Sequence, residues 1–282
     1  NNASATVTFD TPGTYVLQAT ATLGSTTASA TRTVLVATPA TLTFRQGESG
    51  YTHAATFIRG DGSNTTWNSG ARNQMLVGYN STGAMRALLG YDLSPVPADF
   101  AVRSARLELW TAPEPGIGTV GALTVYPLNA TPTEGSGNST SDRNVGAATG
   151  ATWIRRSNAA ENLNWSNPGG DFSNTELASA PGYAATTTAQ DQLAFTSTAD
   201  FPATIEAARL SASPLSLIIA TSNTSGTHFT RIHSDDSTDT SRRPLLVLGF
   251  SANPLPDISP GAAPEATVGI TANLTGAATN AT

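Results

Sequence analysis

Fold class turns on MRALLGYDLSPVPADFAVRSARLELW, Met85 to Trp110. Near its end, Ala105, Leu107 and Leu109 interleave with Arg106, Glu108 and Trp110. That two-residue period belongs to a strand with one buried and one solvated face. Met85–Tyr91 opens the same run as a second strand candidate, and Arg103–Thr111 closes it.

On either side the same grammar continues. Further strands are expected at Thr41–Arg45, Ala54–Ile58, Gln74–Gly78, Ala122–Tyr126, Leu215–Thr221, His228–His233 and Leu245–Phe250. One stretch, ADFPATIEAARL at 199–210, reads as a helix. Asp200 is expected to cap it, Pro202 is tolerated in its first turn, and Ile205 with Ala208 or Arg209 begins a 3.6-residue stripe. Many strands and one short helix predict an all-β protein built around an antiparallel β-sandwich.

Composition agrees. Charged residues are 12% of the 282, about half the usual globular share. Ser and Thr fill the difference, and 25 Gly with 17 Pro punctuate the chain into short strands. All fourteen basic residues are Arg, the net charge is -6, and no basic run exceeds the pairs Arg155-Arg156 and Arg242-Arg243. Nucleic acid is therefore not an expected partner. Without cysteine there are neither disulfides nor thiolate chemistry. No apolar run approaches the ~18 residues of a membrane-spanning helix, so no such segment is expected.

Several motifs follow one another in a fixed order: the Met85–Trp110 run, ATWIRR around Trp153, NWSNPGGDF around Trp165, then LSLIIATSN and FTRIHSDDSTDTSRRPLLVLGF. Together they resemble the DNRLRE-type family, jelly-roll modules that include alginate-lyase-associated carbohydrate-binding domains. The resemblance implies a jelly-roll-like sandwich over residues 40–250 and a polysaccharide-binding role. Alginate-binding members use basic residues, and this chain, which has no Lys, departs from them.

The ends read differently. Residues 1–37 carry strand patterns near Val7–Phe9, Tyr15–Ala21 and Ala28–Val36. GTYVLQATA, LGSTTAS and TRTVLV resemble the closing strands of an Ig-like domain of the polycystic-kidney-disease type. Residues 253–282, opening NPLPDISPGAAPEATVGITANLTG, resemble the opening strands of the same type. The two ends thus look like complementary parts of one fold, and the partner they imply is another copy of the chain, head to tail. Such domains are mostly spacers and stalks.

Candidate sites are of three kinds. N-x-S/T sequons occur at Asn2, Asn64, Asn80, Asn129, Asn138, Asn164, Asn223, Asn273 and Asn280. That is nine of eighteen Asn, where chance gives roughly four or five; either a Thr-rich chain scatters sequons freely, or the chain is extracellular or at the cell surface and carries covalent glycans, which is the reading adopted. Sugar binding needs flat aromatic faces beside planar polar groups. Trp67, Arg72, Tyr79 and Trp165, all in Gly/Asn-rich stretches, are the candidates, whereas Trp153 is expected in the core and Trp110 on a polar face.

Metal and cofactor sites are not assigned. Asp235, Asp236 and Asp239 in HSDDSTDTS have the oxygens Ca²⁺ takes, yet the reading adopted is a solvated turn capped by Asp side chains, and Asp61 in RGDGSN is read the same way. The RGD triplet itself is taken as coincidence. His228 and His233 sit five apart on one strand and so on opposite faces, where they do not share a metal. Gly116, Gly118 and Gly121 spell G-x-G-x-x-G but precede a β-type stretch, which excludes a dinucleotide loop. HExxH and G-x-S-x-G are both missing. The expected function is a non-catalytic extracellular structural protein, a repeat unit or subunit of a glycosylated fibre or stalk. The alternative is a polysaccharide-binding module of a larger enzyme or adhesin.

Overall fold

The structure, a computed structural model, describes residues 7, 13–36, 40–96, 100–138, 150–157, 163–185, 190–252 and 279–280. Its chain divides into two units, one of Thr41–Pro97 with Val102–Gly249, the other of Asn1–Ala40, Ala98–Ala101 and Phe250–Thr282.

Strands β1 (Gly13–Leu23) and β2 (Thr26–Val36) come first. The following strands are β3 (Ala40–Arg45), β4 (His53–Arg59), β5 (Gln74–Asn80), β6 (Gly83–Tyr91), β7 (Phe100–Trp110), β8 (Thr119–Val120) and β9 (Leu123–Pro127). Short strands β10 (Ala178–Ala180), β11 (Tyr183–Ala184), β12 (Gln192–Leu193) and β13 (Thr196–Ser197) lead to helix α1 (Asp200–Leu210). β14 (Leu215–Thr221), β15 (Thr227–His233) and β16 (Leu245–Ala252) close the larger unit's sheets. The protein is all-β with one short helix, its sheets antiparallel and arranged as a sandwich.

The largest sheet runs β13-β10-β9-β14-β6-β5-β15, with β4 also pairing β6; a second runs β12-β7-β16-β3, and β11 pairs with β8 in a third. Every strand expected in residues 40–250 is present within a few residues of its expected bounds, Leu215–Thr221 with no shift at all. Strands β8 and β10 to β13 were not foreseen, because two or three residues are too few to display a period. Asp200 is a correction. It is the first residue of the helix and not its cap, and Ala199 before it makes no side-chain cap bond. The Asp200 carboxylate instead lies in the first turn, on the favourable side of the helix dipole. Phe201 and Ile205 supply the buried stripe.

The middle of the larger sheet is covered on both faces. Ile58, Leu88 and Ile218 pack with Leu128, Ala151 and Trp165 on one side. Their strand neighbours Phe57, Ala87, Leu89, Leu217 and Ile219 point the other way and are equally inaccessible. That is why these strands read as continuous apolar runs. β7 keeps part of the alternation it shows in sequence: Ala105, Leu107 and Leu109 are buried, Arg106 is exposed and Trp110 half-buried, but Glu108, expected on the solvated face, is buried and paired with Arg106.

The terminal unit contains β1, β2 and β17 (Thr279–Asn280), in the order β17-β1-β2. β1 and β2 pair from Gly13↔Val36 to Leu23↔Thr26, closed by a two-residue turn in which Gly24 takes a φ of 57°. Directly opposed pairs share a face, so Tyr15, Leu17, Ala19 and Ala21 lie with Val34, Arg32, Ala30 and Ala28, while Gln18, Thr20 and Thr22 lie with Thr31, Ser29 and Thr27. One face is mostly Ala, Val and Leu with Tyr15 and Arg32, the other is rich in Thr, and residues 26–33 are exposed. On the far side of β1, Tyr15 pairs with Asn280 and Val16 with Thr279. Thr8 and Phe9 of the Val7–Phe9 strand, and the Ig-like reading of 253–278, lie outside the described residues.

Candidate functional site

Where β15 ends, the chain makes a turn that hydrogen bonds lock in place. Ser234 Oγ donates to the Arg72 carbonyl at 2.5 Å and accepts from the Asp236 amide at 3.2 Å. His233 Nδ1 and Ser237 Oγ are 2.7 Å apart, and Arg243 Nε donates to the Ser237 carbonyl at 2.9 Å. The turn carries Asp235 inward, leaving it 3% exposed, with Asp236 beside it in solvent.

Glu134 reaches the same place from far upstream. Asn68 Nδ2 donates to the Glu134 carbonyl at 2.7 Å and to Ala151 at 2.9 Å, while Asn68 Oδ1 accepts from the Gly137 amide at 2.7 Å. Gly70 and Gly150 lie so close to the Glu134 carbonyl that a Cβ at either would collide with it. One carboxylate oxygen from each of Glu134, Asp235 and Asp236 falls within 4.8 Å of the others. Burial raises the pKa of both Glu134 and Asp235; further charge from Asp235 and Asp236 adds to it at Glu134, and from Asp236 at Asp235. A crowded oxygen cluster of this kind suits a hard cation.

The solvated-turn reading of this region therefore needs correcting. Asp235 is buried. Asp239 leaves the cluster altogether: it accepts from the Ser241 amide and hydroxyl and pairs with Arg242. Sequence proximity grouped Asp239 with its neighbours, and only the fold could bring Glu134 in. Asp61 is corrected too. It is 3% exposed and accepts from Arg59 Nε and an Arg59 terminal nitrogen, Asn64 Nδ2 and Asn80 Nδ2, so the RGD triplet is tied to itself.

The four sugar-binding candidates divide. Trp67 is half-buried beneath the Arg59 guanidinium, 5.4 Å from its ring centre. Arg72 lies over Phe57 at 5.8 Å, and its pKa is lowered by burial and then by the charges of Arg231 and Arg59. Those two residues therefore share one neighbourhood. Tyr79 does not join them, because Asn80 after it turns toward Asp61 and strand alternation sends Tyr79 to the opposite face.

Trp165 is the clear correction. It is 4% exposed in the core, and its Nε1 donates to the Thr152 carbonyl at 2.9 Å. The Gly pair after it permits close packing: Gly169 and Gly170 have φ near +100°, and a Cβ on Gly169 would stand 2.7 Å from Arg86 and Trp153. Trp153 is half-buried against the same cluster, with Arg86 5.0 Å over its ring. Elsewhere, Gly116–Gly121 is followed by strand β9, as expected for a loop. A cleft of about 540 Å³, lined among others by Phe44, Ser49, Tyr51, Asp92 and Pro95, was not legible in sequence and contains none of the four candidates.

These features define an all-β protein whose distinctive sites are an acidic cluster and a sheet joining the chain's two ends. Comparison with models of known families and with curated proteins gave no match.

Proposed function

We propose that the protein is a non-catalytic extracellular structural protein, a subunit or repeat that joins copies of itself head to tail through its terminal sheet. The observation that carries this reading is the pairing of Thr279–Asn280 with Val16 and Tyr15. In the assembly, the C-terminal strand of one copy takes that register on β1 of the next. Strand addition draws its affinity from main-chain hydrogen bonds and needs no pocket. Among the described residues, two pairs hold the strand in place within one chain.

A glycosylated surface fits the low charge and the nine sequons. Asn129, Asn138 and Asn164 are exposed and are the expected attachment points. Asn64 and Asn80 commit Nδ2 to Asp61 and are expected to stay bare. Glycopeptide mapping of the native protein checks both; a glycan on Asn80 and none on Asn129 contradicts the assignment. Assembly is read by electron microscopy, where a regular axial repeat is expected for the parent chain and discrete particles for Val16→Pro. Discrete particles for the parent chain at every concentration overturn the reading.

The polysaccharide-binding alternative rests on one observation: Arg72 lies within electrostatic reach of Arg231 and Arg59, and Arg59 stands over the Trp67 ring, with Arg59 paired to Asp61 and Arg231 to Glu114. An acidic sugar chain is the ligand that arrangement suits. Retention on an acidic-polysaccharide affinity gel, abolished in Trp67→Ala, supports it. Absence of retention on any such gel removes it.

A further inference from the structure

We propose that Glu134, Asp235 and Asp236 form a Ca²⁺ site that ties the Glu134 segment to the turn after β15. Three observations converge on it. The first is geometric: carboxylate oxygens within 4.8 Å of one another fit around one ion standing 2.3–2.6 Å from each. Mg²⁺ dehydrates reluctantly and is usually held by one or two carboxylates with several waters, so three protein carboxylates suit Ca²⁺ better.

The second is an unmet acceptor. Asp235 is 3% exposed and its carboxyl is hydrogen-bonded to Glu134 within the cluster, yet its Oδ1 receives no hydrogen bond from any described residue. Close by, the Tyr91 hydroxyl is also buried with no hydrogen-bond partner among the described residues, and the Asp235 charge acts on it. A buried carboxylate oxygen left without a donor destabilises the fold. A cation resolves that cost directly.

The third is preorganisation. Both arms of the site are fixed before any ligand arrives, the Glu134 arm by Asn68 and the flanking glycines, the Asp235 arm by Ser234, Ser237 and Arg243. Beside it, Asp236 lines a polar cleft of about 260 Å³ with Arg72, Asn73 and Asn138. That opening provides an entry path and room for the waters that complete a six- to eight-fold oxygen shell.

The test is thermal unfolding and titration calorimetry of the intact chain, stripped with chelator and then titrated with CaCl₂ up to about 10 mM, a span covering extracellular calcium modules. The parent chain is expected to bind one Ca²⁺ and to unfold several degrees higher when loaded, with a smaller response to MgCl₂. Asp235→Asn and Glu134→Gln each lose the calcium response while remaining folded without the ion, since each removes buried charge. Asp239→Asn, outside the cluster, keeps the full response. The proposal is overturned by no Ca²⁺ heat and no shift in the parent chain, which would indicate carboxyls sharing a proton. It is overturned equally by a response that survives in both Asp235→Asn and Glu134→Gln.

Discussion

Two residues show most directly how environment sets role. Trp165 looked like a sugar platform because Gly and Asn surround it, but those glycines let the chain press the ring into the core. Trp165→Ala is therefore expected to cost about 3–5 kcal/mol in urea unfolding. A surface platform would lose less than about 0.5 kcal/mol, so a small effect contradicts the burial. His53 is stacked between Tyr51 and Tyr91, and both its ring nitrogens lack hydrogen-bond partners among the described residues. Burial first, then the Arg243 charge, lowers its pKa from 6.5 to about 4. The unfolded chain thus takes up a proton that the folded chain refuses between those values. Stability contributed by this residue is complete above pH 6.5, falls as pH drops toward 4, and levels off below. The loss is on the order of 3 kcal/mol. His53→Phe, which keeps the stack, is expected to flatten that part of the pH–stability curve; an unchanged slope contradicts the assignment.

At the level of elements, legibility followed length and pattern. β7 announced itself by alternation, and β14 by an apolar run long enough to cross the sheet. Two-residue strands had no period to show, and the loops that form the acidic cluster had no signal linking Glu134 to Asp235. Such a pair is joined only by tertiary packing, which sequence spacing does not encode. The loop through Gly169 makes the same point energetically. It folds over the sheet face, with Arg86 donating to the Gly169 carbonyl at 2.7 Å between the Trp153 and Phe172 rings. Gly169→Ala is expected to destabilise by about 2–3 kcal/mol, combining a strained positive φ with a collision. Gly62→Ala, where φ is also positive but nothing lies within 4 Å, is the matched control and should cost about 1 kcal/mol. Equal losses at the two sites contradict the packing account.

For the whole molecule, the central claim is that copies join where the chain's ends meet. Sequence supplied the idea, through two end segments that resemble parts of one fold, and the register Val16↔Thr279 supplies a way to test it. Opposed residues of an antiparallel pair lie at Cα separations a disulfide can span. The chain has no cysteine of its own, so any bond formed between introduced thiols is unambiguous. A chain carrying Val16→Cys together with Thr279→Cys is oxidised at rising concentration and its products are separated by mass. Head-to-tail assembly predicts a ladder of disulfide-linked multimers that lengthens with concentration. A single internally linked monomer at every concentration would contradict it.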